Sequence, residues 1–192
     1  MNHQPELIEQ LQQGDEQAFK KLVDEWQDMV YNTAVSIVQN EDDADDITQD
    51  VFIQVYQSVS SFKGESKFST WLYRIVISKA LDHVKKKKRK KRFAFVQSLF
   101  GTASEEEIHP EEFNHPGVLM ENRERAAELF KAMQQLPDNQ RIAFTLHKLE
   151  AQKHQDIAAI MNISLTAVES LIARAKGNLR KILNAYYTNT NF

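Results

Sequence analysis

The sequence contains no cysteine, which excludes disulfide bonds and metal sites built on thiolates. Its six histidines are scattered without the spacing of metal ligands, so we expect no metal and no other cofactor. No apolar run approaches the roughly 20 residues that span a bilayer, and residues 1–5 lack the apolar core of a signal peptide. These absences predict a soluble, cytoplasmic protein.

Strand-like alternation is also missing, and most of the chain shows helical periodicity instead. Apolar residues recur at intervals of three and four over residues 19–38, 47–59, 75–81, 126–136, 142–149, 155–161 and 165–186. Gly14 and Asp15 mark the start of the first of these helices, carboxylates at positions 42–46 favour the start of the second, and Ser69 or Thr70 can cap the third. The pattern predicts an all-α fold.

The helical pattern is interrupted over residues 93–122, which contain six acidic residues and no lysine or arginine. Pro110 and Pro116, two of only four prolines, fall in this stretch. Its length of roughly 25 to 30 residues exceeds most connections within a compact domain. We therefore predict two small helical domains, residues 1–92 and 123–187, joined by a flexible acidic linker and followed by a short tail.

Charges of one sign are concentrated in blocks, although the net charge is only −3. Residues 1–82 contain 6 Lys and Arg against 15 Asp and Glu, and residues 83–92 contain 8 against none. After the acidic linker, residues 123–192 contain 10 against 6. This asymmetry predicts different partners for different segments, some anionic and some basic or neutral, unless the blocks are only solvated faces.

A block of eight consecutive basic residues, 85–92, follows the aromatic segment 68–74 on what the periodicity predicts to be one helix. Cations beside aromatic rings suit single-stranded nucleic acid, because rings stack on bases while cations bind the backbone. Trp71, Leu72 and Tyr73 cannot all be buried on one narrow helix face, so some rings should be available for stacking. Core packing of individual rings and a solvated helix end are the alternatives.

Residues 154–173 have the apolar spacing of a helix-turn-helix, the commonest way to place a helix in the DNA major groove. The motif needs a small residue in the first helix, a turn residue that tolerates positive φ, and an apolar residue in the second helix. Ala158, Asn162 and Val168 occupy those positions. Ser164 is placed to cap the second helix. An ordinary helical hairpin is the alternative.

The exposed face of that second helix supplies the candidate contacts to duplex DNA. Ser164 begins the helix, and the side chains expected to face the groove are Thr166, Ala167, Glu169, Ser170 and Arg174. The side chains expected nearer to phosphates are Lys176, Arg180 and Lys181. Glu169 could accept a hydrogen bond from a cytosine amino group, or it could repel phosphate.

A polar face precedes the aromatic segment. Asp46, Gln49 and Asp50 have the spacing i, i+3 and i+4, which places them together on one side of a helix, opposite Ile47 and Val51. Such a face usually meets water. It is also a natural docking surface for a basic partner helix.

Three segments in this order resemble the bacterial RNA polymerase sigma-70 family, in its extracytoplasmic-function (ECF) group. They are DDITQDVF at residues 45–52, FKGESKFSTWLYRI at residues 62–75 and LPDNQR at residues 136–141. The resemblance extends from about residue 19 to residue 183 and leaves the linker unmatched. It implies a sigma region 2-like helical bundle followed by a sigma region 4-like helix-turn-helix domain.

The resemblance also implies partners and site residues. Asp46, Gln49 and Asp50 would contact the β′ clamp helices of core RNA polymerase, whose β subunit is a further implied partner. A second set of side chains would hold bases of the promoter −10 element and open the duplex. This set comprises Lys63, Gly64, Glu65, Ser66, Phe68, Trp71, Tyr73, Arg74, Ser78, Lys85, Lys86 and Arg89.

The resemblance further implies that the C-terminal domain reads the −35 element of promoter DNA. It also implies that the linker passes toward the active-site channel and the RNA exit path. Three departures stand out. Ser78 replaces a common Asn, residues 151–154 differ from the usual Gly-Leu-Ser-Tyr pattern, and Glu169 replaces a common Lys or Arg. The promoter preference of relatives is therefore not transferable.

The resulting hypothesis is a non-catalytic sigma factor that directs core RNA polymerase to specific promoters and promotes strand opening. An anti-sigma regulator is usual in the resembled group, although no residue pattern here identifies one. Two alternatives come from other classes. A free-standing helix-turn-helix repressor or activator would bind duplex DNA without polymerase, and a helical interaction adaptor would show no salt-dependent DNA binding.

Overall fold

The computed structural model describes residues 4–99 and 123–189, and over these two ranges it is helical, without a strand. The α-helices of these ranges are α1 Gln4–Gln12, α2 Glu16–Val38, α3 Glu41–Ser58, α4 Phe68–Leu99, α5 Arg123–Gln134, α6 Asp138–Lys148, α7 His154–Met161 and α8 Leu165–Asn189. A 3₁₀ turn at Val59–Ser61 follows α3. The predicted all-α fold is confirmed.

Side-chain caps fix the first helix boundaries. Asp15 accepts hydrogen bonds from the backbone N–H groups of Gln17 and Ala18, so it caps α2, whose start the sequence placed at Gly14 and Asp15. Asn40 accepts from the Asp43 N–H at 2.7 Å and caps α3. Between them Gln39 ends α2 with φ +55°, a left-handed conformation that turns the chain sharply between the two helices.

Helix α4 differs from its prediction at both ends. Lys67 O accepts the first helical bond, from Trp71 N–H at 3.2 Å, so Ser69 and Thr70 lie inside the first turn and the prediction that one of them caps the helix is wrong. At the other end the helix continues to Leu99, beyond the predicted boundary at residue 92. The rest of the predicted linker, residues 100–122, lies outside the described residues.

Helices α2, α3 and α4 pack into an N-terminal bundle. Their contact is built from fully buried aliphatic side chains, among them Leu22, Val35, Val51 and Leu72. Burying each such side chain contributes about 1.5–3 kcal/mol. Helix α1, which the sequence analysis missed, packs on α2 and on the 3₁₀ turn.

The C-terminal helices have a small core of their own and also contribute to the core of the N-terminal bundle. Phe130, Met133 and Leu179 pack together where α5 and α8 meet, but Leu146 and Ile157 belong to the continuous core of the N-terminal bundle. Helix α7 lies against α4, and α6 lies against α2. The two halves are therefore docked on each other, which the expectation of two independent domains on a linker did not include.

No single helix of the described ranges is long and apolar enough to cross a membrane. Helices α7 and α8 reach that length and apolarity only when taken together, and they are bent by 102° at the break between them.

Candidate polymerase and nucleic-acid interfaces

The polar face of α3 is present as predicted. Asp46, Gln49 and Asp50 are all exposed, while the opposite side of the helix is buried in the bundle. The same face continues into two apolar side chains that the sequence analysis missed. Ile53 is 55% exposed and Tyr56 is 58% exposed. Ile53 and Tyr56 follow Asp46 and Gln49 by seven residues each. The sequence could have predicted that they share this face, because positions i and i+7 lie on the same side of a helix.

A groove of about 780 Å³ separates this face from α4. Asp50 and Ile47 line its α3 side, and the α4 side is mostly cationic. The α4 lining consists of Lys79, Asp82, His83, Lys85, Lys86, Lys88, Arg89 and Arg92. The fold thus brings Asp50, which was predicted to bind polymerase, next to Lys85, Lys86 and Arg89, which were predicted to bind DNA.

The basic segment of α4 is partly tied to the acidic start of α3. Lys87 Nζ donates to Asp43 Oδ2 at 2.6 Å, and His83 Nε2 lies 3.1 Å from Asp43 Oδ1. The cations predicted to contact DNA, Lys85, Lys86 and Arg89, remain exposed, as does Ser78. The cations that line the groove beside α3 therefore remain accessible to an anionic partner.

The aromatic cluster lies at the start of α4. The Trp71 ring is 5.2 Å from Phe62 and 5.4 Å from Phe68, measured between centroids, and the Trp26 ring is 6.0 Å from Phe68. Phe68 is buried, whereas Trp71 is half-buried and retains accessible ring surface. A half-buried ring that is held in place by neighbouring rings can stack on a base.

The loop before α4 presents its tip to solvent. Lys63, Gly64 and Glu65 are exposed, and Ser66 is half-buried. Gly64 has φ +71°, a conformation that strains any residue with a side chain. Helix α1 holds the base of this loop, because Gln12 Nε2 donates to Phe62 O at 2.9 Å. The candidate −10 loop is thereby anchored at its base.

Tyr73 does not have the exposed position that base stacking requires. It is 4% exposed, its hydroxyl donates to Glu150 Oε2 at 3.1 Å, and it accepts from Gln152 Nε2 at 3.1 Å. Burial and the neighbouring Glu150 carboxylate raise the pKa of Tyr73. Burial also raises the pKa of Glu150, against the opposing effect of its hydrogen bonds with Tyr73 and Thr33.

Arg74 is likewise engaged by the C-terminal half. Its Nη2 donates to Ala159 O at 2.6 Å, and its Nε donates to Ile160 O at 3.3 Å. Both carbonyls lie in the last turn of α7, where helix carbonyls lack partners within the helix and cations are favoured. Nearby, Lys67 Nζ donates to Asp156 Oδ1 at 2.7 Å. We call this set of contacts between α4 and the α6–α8 region the seam.

The helix-turn-helix has the predicted geometry. Asn162 takes φ +54° at the turn, and its N–H bonds to carbonyls of Ala158 and Ala159. Ser164 Oγ accepts from the Ala167 N–H at 3.2 Å, which confirms the predicted cap of α8. Val168 is fully buried against the first helix, as predicted.

The candidate base-reading face of α8 points away from the core. Its exposed members are Thr166, Glu169, Ser170 and Arg174, and the candidate phosphate contacts Lys176 and Arg180 are exposed as well. Ala167 is half-buried. Across residues 4–99 and 123–189, no group of three or more His, Cys, Asp or Glu side chains is arranged to hold a metal ion.

Comparison with known proteins assigns a family to each half. A model of sigma-70 region 2 matches residues 22–90, and a model of sigma-70, region 4 matches residues 126–179. The first match spans the polar face, the aromatic cluster and nearly all of the basic segment. The second contains the helix-turn-helix.

Two curated relatives match almost end to end. The RNA polymerase sigma-H factor of Pseudomonas aeruginosa is 33% identical over 178 residues, which are 93% of this chain and 92% of that protein. The ECF RNA polymerase sigma-E factor of Escherichia coli K12 is 33% identical over 170 residues, 88% of this chain and 88% of that protein.

Two solved structures have a similar fold. The sigma factor RpoE of Bartonella quintana, in complex with the anti-sigma factor NepR, superposes with a TM-score of 0.63 at 25% identity, covering 86% of this chain and 96% of that one. CnrH, in complex with the cytosolic domain of CnrY, shares the fold with a TM-score of 0.66 at 23% identity, covering 93% and 96%.

Proposed function

The chain belongs to the ECF group of the sigma-70 family, and on that premise we propose a role for each surface described above. As an RNA polymerase sigma factor it directs core RNA polymerase to specific promoters and promotes strand opening. The observation that carries this conclusion is the presence of sigma-70 regions 2 and 4 in one chain. Phosphoryl transfer is left to the core enzyme, and we place the protein in the cytoplasm with it.

Three functional parts follow. Residues 1–92 would form the domain that binds core enzyme and the −10 element, residues 123–187 would form the domain that binds the −35 element, and residues 93–122 would link them.

A relative of known structure is in complex with an anti-sigma factor. We extend that class of regulator to this chain.

For the polymerase interface we propose the exposed face of α3. Asp46, Gln49 and Asp50 would meet basic side chains on the β′ clamp helices, and Ile53 would add an apolar contact at the end of the charged patch. Both features support a docked helix, because charge pairs set orientation while apolar area adds affinity. Asp46, Gln49 and Asp50 are exposed on this face and so are accessible to a partner.

For the −10 element we propose strand capture at the start of α4. Trp71 would stack on an unpaired base, the Lys63–Phe68 loop would surround a second one, and Lys85, Lys86 and Arg89 would hold the backbone. Opening then becomes favourable because bases that leave the duplex regain stacking in the protein. Phe68 would contribute from behind, as a buried support for Trp71.

Run-off transcription tests the proposed function directly. The purified chain is mixed with bacterial core RNA polymerase and fragments of the genome that encodes it, and transcript starts are sequenced. Discrete starts that share two spaced upstream motifs are expected. Random or absent initiation, with duplex binding by the chain alone, would instead support a free-standing repressor or activator.

A further prediction separates base reading from phosphate binding on α8. Glu169→Ala should change the preference at one base pair of the −35 element, with discrimination of about 1–3 kcal/mol at that position. Lys176→Ala should weaken binding about equally for all sequences and lower the salt slope by about one. Binding to a library of −35 variants at two salt concentrations distinguishes the two. A uniform effect of Glu169→Ala would show that it only repels phosphate.

A further inference from the structure

We propose that the junction between α6 and α7 is an additional contact to the backbone of duplex DNA, in which the paired rings of His147 and His154 take up a proton as a phosphate binds. This inference rests on the proposed function, because it concerns how the −35 domain holds duplex DNA. The surfaces assigned above to the polymerase, to the −10 strand and to the bases of the −35 element do not include these two histidines.

The two histidines meet across the loop that joins α6 to α7. Their ring centroids lie 4.9 Å apart with an interplanar angle of 58°, and both residues are half-buried. His147 also makes a hydrogen bond to the backbone of Gln152, which holds its ring against the loop. His154 belongs to residues 151–154, the stretch that departs from the usual family pattern. The ring pair is therefore a feature of this chain that family membership does not explain.

Three exposed lysines accompany the pair. Lys148 follows His147 at the end of α6, and Lys153 precedes His154 at the start of α7. Lys176 belongs to α8, and its positive charge acts on His147 together with that of Lys148. A group of ammonium and imidazole side chains drawn from α6, α7 and α8 is suited to an anion.

The acidic residues of this loop are engaged elsewhere. Glu150 accepts a hydrogen bond from the Tyr73 hydroxyl at 3.1 Å, and Asp156 pairs with Lys67 at 2.7 Å. Both carboxylates are thus held by residues at the start of α4. Among the described residues, the charged groups that act on His147 are two lysines and the partner imidazole, without a carboxylate.

This environment favours the neutral form of His147 in the free chain. Burial, followed by repulsion from the partner imidazole and from the ammonium groups of Lys148 and Lys176, lowers the pKa of His147. Its hydrogen bond to the Gln152 backbone opposes this change. A phosphate among these groups would reverse the balance, because an anion within about 4–6 Å favours the charged form of an imidazole. Duplex binding would then take up a proton, so affinity would rise as the pH falls.

The place of the pair in the helix-turn-helix suits a backbone contact. Helix α7 is the first helix of the motif, and a first helix of this kind crosses the DNA backbone while the second lies in the major groove. Lys176 of the second helix is expected near phosphates, and its charge reaches His147. A phosphate that Lys176 binds would therefore also attract a proton to the pair.

The first test measures binding of the full-length chain to a mixed-sequence duplex of about 30 base pairs at pH 6 and pH 8. Every buffer contains EDTA, which prevents a metal ion from bridging the imidazoles. The native chain should bind about fivefold to tenfold more tightly at pH 6, since a pKa change of one unit corresponds to a factor of about ten. His147→Gln with His154→Gln should lose most of this gain. Equal pH dependence in the native chain and the double variant overturns the inference.

The matched control is His83→Gln, which removes the histidine beside Asp43 in the basic segment of α4. This variant should keep the gain in affinity at pH 6. Loss of the gain in His83→Gln, with its retention in the double variant, would assign the pH dependence to α4 and overturn the inference.

The salt dependence of binding separates a phosphate contact from a change in packing. A protonated histidine that neutralises one phosphate steepens the slope of log affinity against log salt by about 0.9. From pH 8 to pH 6, the slope of the native chain should steepen by about that amount more than the slope of the double variant. Tighter binding without this steeper slope would show that the histidines act only through packing, and the inference would fail.

A second variant keeps the inference testable if loss of both rings weakens the fold. His154→Lys carries a permanent cation and should bind the duplex at pH 8 about as tightly as the native chain does at pH 6. Gln27→Lys adds the same charge on an exposed part of α2 and is the control, because added positive charge raises affinity for any nucleic acid. Equal affinity of the two lysine variants at pH 8 contradicts the proposed contact.

These measurements need no polymerase, so their outcome is separate from that of run-off transcription. Discrete transcript starts combined with pH-independent duplex binding would count only against the contact at the α6–α7 junction. Proton-linked duplex binding without discrete starts would support this contact and count against the proposed function.

Discussion

Trp71→Ala is expected to slow open-complex formation by about tenfold or more, while association with core RNA polymerase stays within about twofold. Stacking of one base on an aromatic ring contributes about 1–3 kcal/mol, and this substitution removes the proposed stacking surface. The polar face of α3 belongs to another helix and should be unaffected. Permanganate reactivity of promoter thymines measures opening, and co-elution with core enzyme measures association.

The control for this experiment must separate base stacking from support of the aromatic cluster. Trp71 also packs on Phe62 and Phe68, so its loss could act through a weakened cluster. Trp26→Ala removes a ring of the same size that also contacts Phe68, at a centroid distance of 6.0 Å, but that belongs to α2. Equal loss of opening in the two variants would assign the effect to packing. Normal opening by Trp71→Ala would exclude it as a base platform.

Local features of the fold could be predicted from the sequence because they depend on residues that are close together in the chain. Asp15 caps α2 and Ser164 caps α8 through bonds to N–H groups two or three residues away, and Asn162 takes the left-handed conformation that a tight turn requires. The spacing of apolar residues was enough to place the helices between these points. The polar face of α3 followed from spacing alone.

The seam could not be predicted from the sequence, because the residues that contact each other across it are far apart in the chain. Arg74 and Ala159 are 85 positions apart, and Tyr73 and Glu150 are 77. Nothing in the periodicity of α4 indicates that its first turns meet a helix C-terminus. The periodicity predicted only that some of these rings would be available, and it could not indicate that Tyr73 is buried while Trp71, two residues earlier, is half-buried.

Association of this chain with core RNA polymerase should depend strongly on the exposed polar face of α3. Asp46→Lys with Gln49→Ala is expected to weaken binding to core RNA polymerase by about 30-fold or more, because reversing one partner of an interfacial charge pair costs about 2–5 kcal/mol. All three polar residues of the face are exposed, so the fold should tolerate the change. Competition with a labelled sigma factor for limiting core enzyme measures the affinity.

Asp24→Lys with Gln27→Ala is the matched control, since it repeats the same changes at the same spacing on an exposed part of α2. It should leave core affinity within about twofold. If both variants weaken binding alike, the cause is the altered net charge and not the α3 face. If neither does, core enzyme docks elsewhere. Ile53→Ser then tests the apolar end of the same face, where a loss without any charge change would extend the interface beyond the three polar residues.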